Sequence, residues 1–438
     1  MKEVAQRIFR RTLDAIDVRA ALARRLAREG SLIHTAENTG RDEIINLAQY
    51  REIVAIAFGK AAFAMAEGLV SLLAPAYQPT GILVTPAEPP RELAEWQAFV
   101  GGHPVPNAAS FEAGRAILER LGRCGPETLI FFLISGGGSS LVEQPLNPDV
   151  TLRDFQQLNA ALVTCGAPIE EINIVRKHLS AVKGGRLAAA APNSMKLTLA
   201  ISDVPQGHET ALASGPTLPD PTTIDDCMRI SQKYELTIKF PESIRSVFEQ
   251  RRLRETPKGG DAAFARARFE LVLGEHDLTH AAHHACEAEG FACVCDTSAD
   301  HWPFEKAADH LLGLLESQKR ANRGQTVAII ADGEVISRVT GNGVGGRNSA
   351  FVLACVPKIA GRKITVLSAG TDGMDGNSPA AGAVADGGTL ERAQRAGLDY
   401  ADFLRRSDAH SFFERLGDAL TTGPTGNNLR DLRILIAE

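Results

Sequence analysis

Apolar positions along the chain follow two different periods. Val4, Ile8, Leu13, Ile16, Leu22 and Leu26 recur at near-helical spacing and Gly30 closes the stretch, which predicts helix over residues 1–30. Beyond it, short continuous apolar runs alternate with helical patterns. Strands are predicted over 53–58, 82–85, 129–134 and 197–201, and helices over 61–73, 108–121, 152–164 and 170–190. Such alternation marks a parallel sheet covered by helices. The polar stretch 251–261, with Pro257, Gly259 and Gly260, reads as a domain boundary. The alternation then restarts with strands over 269–273, 291–295 and 326–331 and helices over 278–288 and 304–315. A strand over 334–340 is predicted to pair back across the turn Asp332-Gly333. A helix from Asn348, a strand over 363–368 and a last strand over 432–437 complete the pattern. Two α/β domains, 1–255 and 262–438, are expected.

Composition narrows the function. The 438 residues carry 47 Lys+Arg against 53 Asp+Glu, a net charge of -6, which argues against nucleic acid or an anionic membrane surface as partner. Seven cysteines scattered over this length are not a disulfide framework, and no apolar run reaches the length of a membrane span. The N-terminal stretch is Arg-rich and carries Glu3, Asp14 and Asp17, unlike a signal peptide. A soluble cytoplasmic protein is expected.

Ligands of open α/β sheets bind beyond the carboxyl ends of the strands, so the loops there carry the candidate chemistry. Ser135-Gly136-Gly137-Gly138-Ser139-Ser140 follows a predicted strand. Its glycines let backbone N–H groups approach a phosphate, and its serines add hydroxyl donors. Gly59-Lys60 sits where a helix follows a strand, and a lysine there stabilises charge on a transferring phosphoryl group. Arg176, Lys177, His178, Lys183 and Arg186 concentrate positive charge. Arg176 and Lys183, seven apart, are placed on one helix face that suits a carboxylate or phosphate. Asp203 follows another strand, where a carboxylate serves equally as metal ligand, general base or turn aspartate.

Gly341-Asn342-Gly343-Val344-Gly345-Gly346-Arg347-Asn348 fits G-x-G-x-x-G, yet no acidic residue closes the next strand as a dinucleotide fold requires. A Walker A loop is not met either, since Arg347 and Asn348 replace Lys and Ser/Thr. What remains is an anion loop presenting an arginine, which suits phosphoryl transfer. Asp372 and Asp375 lie three apart in a glycine-rich loop at a further strand end, a candidate Mg²⁺ position. Thr422-Gly423-Pro424-Thr425-Gly426-Asn427-Asn428 adds hydroxyl and amide donors before the last strand. His280, His283 and His284 read as a partly exposed helix face, not a zinc site, and Cys293 and Cys295 read as core.

Together these loops resemble the glycerate 2-kinase family, type II glycerate kinases with a C-terminal MOFRL domain, whose members often bear the older label hydroxypyruvate reductase. The matching pieces are Gly59-Lys60-Ala61-Ala62, Gly102-His103-Pro104, the Ser135 loop, Val175-Arg176-Lys177-His178-Leu179-Ser180, Lys183-Gly184-Gly185-Arg186, Ile201-Ser202-Asp203-Val204-Pro205, Ser214-Gly215-Pro216-Thr217, Gly345-Gly346-Arg347-Asn348, Thr371-Asp372-Gly373 and Gly423-Pro424-Thr425-Gly426. The resemblance implies two Rossmann-like α/β domains with an active-site cleft between them. It also implies ATP- and Mg²⁺-dependent phosphorylation of D-glycerate at its 2-hydroxyl, with a homodimer left open.

By the same resemblance Lys60 and Arg347 are catalytic and neutralise the γ-phosphoryl group. Ser135, Gly136, Gly137, Gly138, Ser139, Ser140, Arg176, His178, Lys183 and Asn348 hold phosphate or substrate. Asp203 or Asp372 holds Mg²⁺ or orients the attacking hydroxyl, with Asp203 also counted as catalytic. The chain departs from the family pattern at Ser349-Ala350, at Gln206-Gly207-His208-Glu209 and at Asn377-Ser378-Pro379, and two of these changes remove carboxylates. A NAD(P)H-dependent hydroxypyruvate reductase, a kinase of a related sugar acid and a non-catalytic sugar-acid binder are the competing readings.

Overall fold

The computed structural model describes residues 1–35, 43–205 and 207–438. They form two compact units, one of Val18–Val272 and one of Met1–Asp17 with Leu273–Glu438.

The unit Val18–Val272 opens with a small antiparallel sheet of β1 (Leu26–Glu29), β2 (Leu32–Thr35) and β3 (Glu43–Asn46). Its main sheet contains β4 (Glu52–Phe58), β5 (Thr80–Thr85), β6 (Trp96–Val100), β7 (Thr128–Ser135), β8 (Met195–Ile201) and β9 (Ala267–Leu273), in the order β6-β5-β4-β7-β8-β9. All pairings from β6 to β8 are parallel. Both faces are covered, so β7 is buried at every position. Val54, Ile56, Phe58, Ile130, Phe132 and Ile134 share one face of it with Ile117 and Leu121 of helix Ala108–Leu121. A second core, built from Phe155, Leu158, Ile172, Val175, Ile230, Val247 and Phe248, joins four helices into a cap. Strand order reverses between β4 and β7, and that makes their carboxyl ends the place where a doubly wound sheet opens for a ligand.

The other unit also has a six-stranded sheet: β10 (Ala292–Cys295), β11 (Val327–Asp332), β12 (Ile364–Gly370), β13 (Gly382–Asp386), β14 (Ala419–Leu420) and β15 (Asp431–Ala437), in the order β10-β11-β15-β12-β13-β14. Only β10 and β11 are parallel neighbours. The last strand, β15, inserts antiparallel between β11 and β12. This sheet is therefore mixed, whereas the sequence pattern predicted a parallel one.

Several expected elements shift, each for a local reason. The first thirty residues form two helices, Lys2–Ala15 and Val18–Arg25, and then β1. The first helix buries Ala5, Ile8 and Phe9 against the C-terminal unit, although its sequence neighbours belong to the other. The strand over 267–273 pairs beside β8 and so belongs with the first sheet, beyond the polar stretch 251–261. The helix expected over 170–190 breaks into Ile169–Leu179 and Arg186–Ala189, because Gly184 and Gly185 both take positive φ. Residues 334–340 are not a strand; Ile336 makes an isolated bridge to Pro303. Cys295 is exposed because β10 is an edge strand.

Candidate active-site loops of the two units

In the unit Val18–Val272 the loops after β4 and β7 are locked together. The Lys60 N–H donates to the Gly136 carbonyl (3.0 Å), and the Ala61 N–H donates to Ser135 Oγ (2.9 Å). Gly59, at φ 126, allows this approach; a Cβ there would collide with Ser135 Oγ. Ser135 is fully buried and thus serves the lock, not a ligand. Ser140 turns back onto the Gly137 carbonyl (3.3 Å). Around the left-handed Gly137 stand the His103 ring and the Lys60 side chain: a Cβ added there would lie 3.1 Å from the ring and 3.5 Å from Lys60 Cγ. Lys60 lies one residue before Ala61, the N-cap of helix Ala62–Leu73, at an end where the helix macrodipole disfavours a cation by about 0.3–1 kcal/mol.

Next to this pair lies a polar relay. Ser139 Oγ is 2.8 Å from Ser214 Oγ, Ser214 faces Asn173 Oδ1 (3.5 Å), and Asn173 Oδ1 accepts from Arg176 Nη1 (3.4 Å). Arg176 Nε also donates to Asn159 (3.0 Å), and burial draws its guanidinium below the ordinary value. Ser214 is held at φ 62 beside Ala213 at φ 48; two non-glycine residues in left-handed backbone are strain of the kind that accumulates at ligand sites. Asp203 stands partly exposed two residues past the end of β8, and Gln206, a few residues on, lies outside the described residues.

The rest of the expected cationic patch has internal partners. Lys183 is not on the helix of Arg176, which ends at Leu179. It is buried against Glu143 at 2.5 Å, and Ser180 donates to the same carboxylate. Burial lowers its pKa and Glu143 opposes that shift. Lys177 pairs with Asp220 (3.3 Å). His178 joins the Ile174 carbonyl (2.9 Å) to Glu255 (3.2 Å).

In the other unit, Asp332, Gly370 and Asp431 meet at one sheet edge, Gly370 being in register with Asp431. The glycine-rich loop 341–346 leads there into helix Arg347–Ile359. Its N-terminus is already filled by an anion of the chain itself. The Asp375 carboxylate accepts from the N–H groups of Gly346 (3.2 Å), Asn348 (2.9 Å) and Ser349 (2.9 Å), and from Ser349 Oγ (2.6 Å). Asp375 is 1% exposed, and burial pushes its carboxyl up while these donors pull it down. Asn377 clasps the same loop, accepting from Gly345 N–H (2.8 Å) and donating to the Gly343 carbonyl (3.2 Å). The loop is thus neither a dinucleotide fingerprint nor a phosphate cradle, which corrects the anion-loop reading. The Asp372–Asp375 pair is likewise no joint metal position, since Asp375 is committed to the helix and only Asp372 stays partly exposed.

Arg347 emerges from this turn. It donates through Nε to Asp431 (2.5 Å), and its Nη1 and Nη2 meet both oxygens of Glu334 at 2.7 and 2.6 Å. Burial alone would lower its pKa, but Asp431 and Glu334 outweigh that and hold it above the ordinary arginine value. Asn348 is buried and accepts from Ser368 (2.5 Å), so it ties helix to sheet. Nearby, Arg430 claims Glu275, Asp300 and Asp332. Among the described residues no group of three His, Cys, Asp or Glu side chains is arranged to hold a metal ion, and no helix is long and apolar enough to cross a membrane.

The sequence reading gave no role to Glu334, Asp431, Asn173 or Glu143, and it had Ser214 only as part of a matching piece. Asp431, one residue ahead of a predicted strand, carried a usable signal; Glu334 had been placed inside a strand that does not form.

The chain is similar to known proteins over most of its length. Residues 4–249 match a domain of unknown function, DUF4147, and residues 327–431 match the MOFRL family. The chain is 34% identical to the D-glycerate 2-kinase of Thermotoga maritima, covering 87% of this chain and 90% of that one. It is 36% identical to a putative hydroxypyruvate reductase of Agrobacterium vitis, covering 87% and 86%. A crystal structure of glycerate kinase from Thermotoga maritima superposes with a TM-score of 0.84 at 30% identity, covering 100% of this chain and 99% of that one.

Proposed function

The chain belongs to the glycerate 2-kinase family, and from that premise we propose that it transfers the γ-phosphoryl group of ATP to the 2-hydroxyl of D-glycerate, giving 2-phosphoglycerate and ADP. The observation that carries this reading is Lys60. It is a cation placed against a helix dipole at the switch point of a parallel sheet, in a chain similar to a glycerate 2-kinase over most of its length.

Each unit has its own part in this reading. Lys60 stabilises charge on the transferring phosphoryl group while the Gly136-Gly137-Gly138 backbone lies against the phosphates. Ser139, Ser214 and Arg176 receive the substrate carboxylate, with Asn173 aligning the arginine. In the other unit, Arg347 is the cation offered to a phosphoryl oxyanion. Ser135, His178, Lys183 and Asn348 keep these loops in place without touching ligand.

The donor set fits a magnesium ion carried in by the nucleotide, because such an ion needs only one or two protein carboxylates and Asp203 and Asp372 each stand partly exposed at a strand end. When bound it would neutralise phosphate charge. Asp203 otherwise orients the attacking hydroxyl. Seven free cysteines support a cytoplasmic location.

The test mixes the protein with D-glycerate and MgATP, coupled to enolase, which accepts the 2-phosphate and not the 3-isomer. Phosphoenolpyruvate is expected, and Lys60→Ala and Arg347→Ala should each lower kcat by about 10²–10³. Absence of glycerate-dependent ADP overturns the reading, and wild-type rates in both variants overturn the site.

A further inference from the structure

The two carboxylates that hold Arg347 differ in every respect that decides whether they can let go. Asp431 is the first residue of β15, a strand paired on both sides, and its side chain is 3% exposed. It takes the Nε–Nη2 edge of the guanidinium, accepting from Nε (2.5 Å) and from Nη2 (3.3 Å). Glu334 sits in the irregular segment after β11, and its side chain is 38% exposed. Its two oxygens meet Nη1 and Nη2 side by side, which is the same two-pronged geometry by which an arginine receives a phosphate. The backbone at Glu334 is fixed, since its N–H donates to Asp300 (2.8 Å) and its carbonyl accepts from His301 (2.9 Å), so only the side chain is free to swing. Behind them Asp375 and Asn377 fix the turn from which Arg347 projects.

We propose that Glu334 is a resident placeholder for the tetrahedral oxyanion that Arg347 receives, and that Asp431 is the permanent anchor keeping the guanidinium aimed while Glu334 is displaced. This rests on the reading that Arg347 meets a phosphoryl group. Glu334 competes with the incoming anion for the Nη1–Nη2 side of the guanidinium, whereas Asp431 lies along the neighbouring Nε–Nη2 edge and leaves that side open. Glu334 thereby satisfies, in the absence of ligand, the Nη1 and Nη2 hydrogens that Asp431 does not take. Asp431 is a positioning residue.

Inorganic phosphate binding to the full-length protein, followed by calorimetry, tests this without catalysis. An exposed ion pair alters an equilibrium by at most about fivefold, so Glu334→Gln should bind phosphate two- to fivefold more tightly than wild type. Glu334→Asp, with its shorter arm, should fall between them. Arg347→Ala should weaken binding and abolish the effect of Glu334→Gln. Asp431→Asn should lower kcat for glycerate phosphorylation about tenfold or more in the Arg347 protein, and should change nothing further in the Arg347→Ala protein. Unchanged or weaker phosphate binding by Glu334→Gln overturns the proposal, as does an Asp431→Asn defect that persists without Arg347. If Asp431→Asn does not fold, the phosphate series decides alone. A protein that lacks glycerate kinase activity but shows the phosphate series refutes the proposed reaction and leaves the placeholder standing.

Discussion

Removing Asp375 is the sharpest test of how the C-terminal unit is built. Asp375→Ala leaves three N–H groups and one hydroxyl without their acceptor at a position that is 1% exposed. Each buried donor left unmade costs about 1–3 kcal/mol, but water entering the vacated space recovers part of it. Losing an ordinary helix cap costs about 0.5–2 kcal/mol, and breaking a buried charged network about 3–5 kcal/mol. Asp375 combines both roles, so a loss of about 3–5 kcal/mol is expected. Asp375→Asn keeps the shape but turns a donor toward donors, and should cost somewhat less. For a unit of this size, about 2–4 °C of Tm accompanies each kcal/mol, which puts Asp375→Ala about 10 °C lower. Guanidinium unfolding followed by circular dichroism measures the free energy, and Ser349→Ala, which removes the hydroxyl that donates to Asp375 and accepts from the Gly346 N–H, should lose about 1 kcal/mol. An Asp375→Ala protein within about 0.5 kcal/mol of wild type would refute the assignment of this carboxylate as the anion of the loop.

The buried Lys183–Glu143 pair makes a second prediction. Lys183→Met alone should destabilise by about 3–5 kcal/mol by stranding Glu143, while Lys183→Met with Glu143→Leu should recover much of the loss in denaturant unfolding. A third concerns acid. Burial raises the Glu255 carboxyl, but hydrogen bonds from Lys258, the Ile224 N–H and His178 bring it down to about 2, below its unfolded value of about 4.3. Its stabilisation is therefore complete above pH ~4.5 and is lost as pH falls toward 2. Glu255→Gln should flatten the pH dependence of stability in that window; an unchanged acid limb counts against these contacts.

Legibility from sequence tracked local signals. The helices over 108–121 and 152–164 were readable to the residue because Asn107 with Ser110 and Thr151 with Asp154 form capping boxes. The central strands β4, β7 and β8 announced themselves as unbroken apolar runs. The mixed sheet did not, because the direction of β15 depends on partners about a hundred and about seventy residues upstream, and no local pattern encodes it. The loops after the strands were found as places, since glycine and polar clusters mark strand ends. What each side chain does there was not. Ser135, Lys183 and Asp375 all had the composition of ligand contacts, yet the fold supplies each with an internal partner. A sequence shows that a loop offers donors; it does not show that the chain itself has already filled them.

The helix Lys2–Ala15 belongs to a unit whose remaining residues begin at Leu273. During synthesis it emerges long before the rest of its own unit. The unit Val18–Val272 is continuous and can collapse as soon as it leaves the ribosome, but Ala5, Ile8 and Phe9 wait for β12, β13 and β15. At about 5–20 residues per second that wait lasts some tens of seconds. Through it the apolar stripe of this helix stays open to solvent, so the helix is a natural point of chaperone dependence in the biogenesis of this chain.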